Sequence, residues 1–133
     1  MCSARPDRFF DGGGHEKVAG YARAARRGAS IVVSGTTAND GSGGAEHLGD
    51  TEAQTTTALR HALAAVEQLG GRATDVVRTR IFLAPGADWT AASAAHATVF
   101  GDICPANTML FVHALIGDGF LVEVEVDAIV TDS

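Results

Sequence analysis

From Leu121 to Val130 the chain alternates with a period of two: Val122, Val124, Val126 and Ala128 fall on one side, and Glu123, Glu125 and Asp127 on the other. Successive side chains of an extended strand point to opposite faces, so the segment predicts a strand with one dry face and one polar face. Such a strand needs neighbours for its backbone and a cover for its apolar side. Short apolar runs at Ser30 to Ser34, Val76 to Ala84 and Thr108 to Ala114 supply candidate neighbours. A further possible strand runs from Tyr21 to Arg26 and turns through Arg27-Gly28 as a hairpin.

The cover is helical. Leu59, Leu63, Val66 and Leu69 recur at i, i+4, i+7 and i+10, which puts them on one helix face. Thr51-x-x-Gln54 has the spacing of a capping box at its start, and Gly70 supplies a stop. A second helix is expected from about Asp88 to Phe100, with Asp88 as the cap and Trp89, Ala92, Ala95, His96 and Val99 on one side. Strands interleaved with only two helices read as an α+β fold, a two-layer sandwich in which both helices cover one face of a sheet of five or six strands. The other face would stay open with apolar side chains such as Phe82 and Phe111, so self-association is expected. A length of 133 residues suits one domain, with residues 1–17 read as an irregular N-terminal extension. The Gly/Ser-rich stretch from Asp40 to Gly44 reads as a flexible loop.

Ten Lys and Arg against 16 Asp and Glu leave a net charge of −6, which argues against a nucleic-acid partner because phosphate contacts need clustered cations. Cys2 and Cys104 lie at opposite ends of the chain and read as reduced thiols. The polar opening segment lacks the apolar run of a secretory signal, and no stretch is apolar enough for a membrane span. The expectation is therefore a cytoplasmic protein with no membrane partner. The five histidines show no ligand spacing, so no metal is expected. Gly41 to Gly44 precedes a helix but contains no phosphate-binding signature, and neither Ser34 nor Cys104 stands in a nucleophile motif. The acidic side of the last strand admits two readings. It is a solvated sheet face, or one of its carboxylates works beside an arginine, holding a water or exchanging a proton.

Several segments fall together in a known order: Gly20-Tyr21-Ala22-Arg23-Ala24, Ile31-Val32-Val33-Ser34-Gly35-Thr36, Asp75 to Phe82, Cys104-Pro105-Ala106, and Leu121-Val122-Glu123-Val124-Glu125. In sum they resemble the RidA/YjgF family of enamine and imine deaminases, from about Val18 to Val130. The resemblance implies a chorismate-mutase-like α+β fold, a mixed sheet, and a homotrimer with ligand clefts at subunit boundaries and no cofactor. It implies substrate-binding roles for Tyr21 and Ser34 and a water-handling role for Glu123. Deaminating members carry an arginine after the Pro-Ala pair that grips the substrate carboxylate, and a cysteine or other small residue two positions on. Asn107 and Met109 stand at those two places. A neutral amide lacks the charged, bidentate fork of a guanidinium, so the usual 2-imino acid is not the expected substrate.

Arg80, on the strand side shared with Arg78 and Phe82, is the first candidate for a replacement cation, and Arg23 the second. Trp89 resembles an aromatic near the family's cleft. The expected site therefore comprises Glu123 and Asn107 for catalysis, with Tyr21, Ser34, Arg80, Trp89 and Met109 for substrate binding. The expected function is hydrolytic deamination or tautomerisation of an altered enamine or imine, and the alternative is a non-catalytic ligand-binding or scaffolding trimer.

Overall fold

A computed structural model describes residues 5–13 and 15–131. Cys2, read above as a thiol, lies outside them. The strands are β1 (Arg8–Phe9), β2 (Ala24–Arg27), β3 (Ser30–Thr37), β4 (Val76–Leu83), β5 (Ala106–Phe111) and β6 (Val122–Ile129), and the helices α1 (Glu16–Ala19), α2 (Thr51–Gln68) and α3 (Trp89–Phe100). One six-stranded sheet has the order β1-β2-β3-β6-β4-β5.

The last strand lies centrally. β6 runs antiparallel to both β3 and β4, which makes those two parallel to each other, while β4 and β5 pair parallel. Each parallel step needs a crossover, and α2 and α3 provide them. The alternating pattern of β6 is realised: Val122, Val124, Val126 and Ala128 are buried, and the acidic residues between them are half-buried on the opposite face. Leu59, Val66 and several alanines of α2 meet Ile31, Val33, Ile81 and the β6 valines in one core, which α3 closes with Ala92 and Phe100. Burying alanines at 58, 62, 65, 92 and 95 lets both helices lie close on one layer. The α+β two-layer expectation with a mixed sheet therefore holds, with three helices among the described residues when the single-turn α1 is included.

Several local expectations are corrected. Thr51 does not cap α2; the cap is Asp50, whose carboxylate accepts from the Ala53 amide at 3.0 Å. A carboxylate beside a helix start is the better acceptor, because it also meets the positive end of the helix dipole. Thr51 Oγ1 accepts instead from the Asp88 amide at 3.1 Å, tying the start of α2 to that of α3. Gln54 is fully buried, donating to the Gly119 carbonyl at 2.8 Å and accepting from the Leu121 amide at 2.8 Å. Asp88 does cap α3, accepting from the Thr90 and Ala91 amides. Residues 1–17 are not wholly irregular, since Arg8 and Phe9 pair with Ala25 and Ala24. The strand expected from Tyr21 begins only at Ala24. Phe111 lies opposite the core residue Leu83 in register, which places it on the helix side of the sheet rather than on the open face.

Candidate functional site

The expected site residues form two separate groups. The first is built at a bulge in β3. Val33 pairs with Val126 and Thr36 with Val124, so β3 carries one more residue than β6 between those pairs, at Ser34-Gly35. A bulge bends the strand and re-aims its side chains. Here it brings the Glu123 carboxylate against Gly35: a Cβ at that position would lie 2.6 Å from Glu123 Oε2. A larger residue there would make the Glu123 carboxylate swing aside.

Arg23 is 8% exposed and braces the bulge, its Nη1 donating to the Gly35 carbonyl and, at 3.2 Å, to Thr36 Oγ1. Its Nε lies 3.2 Å from Asp11 Oδ2, an ion pair without an aligned hydrogen bond. The guanidinium carbon stands 5.7 Å from the centroid of the Tyr21 ring, within cation–π range. Ser34 Oγ donates to the Ala22 carbonyl at 2.7 Å, so its proton is committed and its lone pairs remain. Burial pushes the Glu123 carboxyl above its usual value, repulsion from Glu125 adds to that, and Arg23 pulls part of the way back. The net effect favours the protonated form of Glu123 relative to an exposed glutamate. Arg23 thus links Tyr21 to the bulge that carries Ser34 and that Glu123 faces.

The second group lies at the other side of the sheet. Thr79, fully buried and facing the helices, accepts from Asn107 Nδ2 at 3.0 Å and sits 2.7 Å from His96 Nε2. Asn107, Met109 and Phe111 of β5 line an open cavity of about 360 Å³ with Leu83, Trp89 and Ser93. Ser93 Oγ donates to the Trp89 carbonyl at 2.9 Å and approaches Met109 Sδ at 3.8 Å. Trp89 does not enter the core; it is 58% exposed at the cavity rim. Glu123, on the opposite face, has no access to this cavity within the chain.

Arg80 joins neither group. It pairs with Glu125 at 3.4 Å and Asp127 at 3.6 Å, and Arg78 stands 3.9 Å from Asp127, all on the helix-free face. Two carboxylates share its charge. Sequence reasoning missed the Thr79–His96 pair behind Asn107 and the role of Gly35. The inward parity of Thr79 was visible, but nothing in the sequence places His96 opposite it. No group of three His, Cys, Asp or Glu side chains among the described residues is arranged to hold a metal ion. No helix among them is long and apolar enough to cross a membrane.

Helices on one face of a mixed six-stranded sheet, with polar groups at a β3 bulge and a cavity at edge strand β5, define a chorismate-mutase-like α+β protein with candidate ligand-binding surfaces. The family model described as Endoribonuclease L-PSP matches residues 15–130, and the chain belongs to that family, the YjgF/RidA family. It is 36% identical over 131 residues to Uncharacterized protein SCO2049 of Streptomyces coelicolor, covering 96% of this chain and 95% of that protein. Rv2704 of Mycobacterium tuberculosis, a crystal structure described as a member of the YjgF/YER057c/UK114 family, is 42% identical, with a TM-score of 0.81 over 92% of this chain and 98% of that one. The YjgF gene product of E. coli shares the fold at 24% identity, with a TM-score of 0.74 over 95% of each chain.

Proposed function

We propose that this chain is a small-molecule enzyme of the Rid type that hydrolyses or tautomerises an enamine or imine other than an ordinary 2-imino acid. The observation that carries the reading is Glu123, a half-buried carboxyl held above its usual pKa over a glycine bulge that arginine braces. In hydrolysis an enamine first takes a proton on carbon to become an imine. Water then adds to the imine carbon, and the carbinolamine collapses to a carbonyl compound and ammonia. Glu123 as a carboxylate takes the proton from the attacking water, and as a carboxyl returns it to the departing nitrogen. In this reading Tyr21 and the lone pairs of Ser34 serve as hydrogen-bonding groups, and no cofactor is called for.

The cavity beside Asn107 and the Glu123 group lie on opposite faces of one sheet, so one ligand meets both only if a second copy supplies one of them. A homotrimer with clefts at its subunit boundaries, working in the cytoplasm, is the assembly this reading requires. Edge strand β5, exposed along most of its length and carrying Asn107 and Met109, is the element that would border such a cleft. The acidic balance of −6 sets RNA cleavage below this reading. A non-catalytic ligand-binding or scaffolding trimer is favoured by one observation, the uncharged lining of the cavity.

Ammonia release from freshly generated 2-aminoacrylate and from its uncharged amide counterpart separates these readings. The expected outcome is acceleration with the amide, little with the acid, and a loss of roughly 10²–10⁴-fold in Glu123→Gln. No acceleration across a panel of imines and enamines would leave ligand binding as the function.

A further inference from the structure

The cavity beside β5 is chemically specific in a way that its shape alone does not convey. Its lining side chains, among the described residues, carry no charge. Its main polar side chain, Asn107, is held from behind by two residues that do not line it. Asn107 Nδ2 donates to Thr79 Oγ1 at 3.0 Å, and Thr79 Oγ1 stands 2.7 Å from His96 Nε2. An amide nitrogen only donates, so the hydroxyl oxygen accepts from Asn107. With the His96 imidazole neutral and its proton on Nδ1, the hydroxyl proton goes to Nε2; with the proton on Nε2, the ring donates to the second lone pair of the hydroxyl. Burial of His96 pushes its pKa down and favours the neutral ring. Phe100, with its ring centroid 4.7 Å away, packs against that ring.

Thr79 is fully buried, so the middle of this chain of contacts is screened from water, while His96 is half-buried and Asn107 is exposed on the edge strand. One N–H of Asn107 is spent on Thr79. What remains for the cavity is one acceptor, Oδ1, and one N–H donor, with the amide prevented from turning over. Neither Oδ1 nor that second N–H has a partner among the described residues. Trp89 and Phe111 add two aromatic side chains beside them.

We propose that this cavity receives an uncharged, planar group carrying a donor and an acceptor side by side, such as a carboxamide, lactam or urea, with Asn107 as the specificity-determining residue and Thr79 and His96 as positioning residues. An amide edge meets another amide edge with donor against acceptor twice. A carboxylate offers two acceptors, one of which faces Oδ1, and it loses water without gaining a counter-charge. The proposal deepens the reading of the same cavity under Proposed function. It concerns binding alone, so a chain that binds amides selectively without turnover would defeat that reading and leave this one standing.

Trp89 is the only tryptophan, and Met109 one of two methionines, so the indole N–H and the Met109 methyl are direct nuclear magnetic resonance reporters of the cavity. Benzamide and benzoate, equal in size and differing in charge and donor pattern, are titrated at neutral pH into the full chain. Benzamide is expected to shift both reporters and to bind about tenfold or more tightly than benzoate. Asn107→Arg is expected to reverse that preference. Thr79→Val is expected to erase it while Thr79→Ser, which keeps the hydroxyl, restores it; a merely structural role for Thr79 would not follow the hydroxyl in this way. Dispersed methyl spectra confirm that each variant is folded. Benzoate binding as tightly as benzamide, neither compound shifting the reporters at millimolar concentration, or unchanged selectivity in a folded Thr79→Val would each overturn the proposal.

Discussion

Glu123 shows how burying one carboxyl costs stability. Its pKa in the folded chain is raised above the ordinary 4.5, chiefly by burial. As pH climbs past the ordinary value, the unfolded chain releases this proton before the folded chain does, so the folded state loses stability through that window and does not regain it above. Glu123→Gln removes the cost. Its melting temperature is expected to exceed that of the unaltered chain by roughly 1–4 °C near neutral pH, a small gain because the carboxyl is only half-buried. The gap should close below about pH 4, where the carboxyl is protonated in both states. Melts of both proteins across that range check the sign, and a variant less stable at neutral pH would show that Arg23 outweighs burial. At this scale the sequence pointed to Glu123, Tyr21 and Ser34 only through the family resemblance, since the pattern of β6 alone did not choose among its carboxylates. It did not show that Gly35 faces a carboxylate, because that carboxylate comes from a side chain 88 positions away.

The helices were legible because apolar periodicity is a local property. Their junctions were not. Thr51 and Gln54 have the spacing of reciprocal caps, yet both are drawn inward by partners remote in sequence, Asp88, Gly119 and Leu121. Asp50, one residue earlier, takes over the cap. The two roles predict different costs. Asp50→Ala removes an exposed cap and should cost about 1 kcal/mol, whereas Gln54→Leu leaves a carbonyl and an amide unpaired in the interior and should cost roughly 2–5 kcal/mol. Urea unfolding of both variants measures the difference, and equal losses would mean that the loop before β6 does not depend on Gln54. The β3 bulge belongs to the same scale: Ser34-Gly35 reads as ordinary strand until β6 is laid beside it and runs one residue short.

For the molecule as a whole, the separation of the two residue groups across the sheet bears on assembly. Light scattering is expected to give a mass about three times 13.7 kDa, with a melting temperature that rises with protein concentration. A mass of 13.7 kDa would remove the shared cleft and, with it, any joint action of Asn107 and Glu123. Arg78 and Arg80, neutralised by Glu125 and Asp127, make the helix-free face less charged than the sequence implied, because strand register sets ions of opposite sign opposite one another. The sequence by itself determined five of the six strands, the two long helices, their layering and the family, since these follow from period-two and period-3.6 patterns and from motifs read along the chain. Tertiary structure alone decided which chemical groups meet. It put Glu123 with Arg23 at a bulge, gave Asn107 to Thr79 and His96, and set the two on opposite faces, because pairing across strands depends on register, and a single extra residue in one strand changes which side chains share a space.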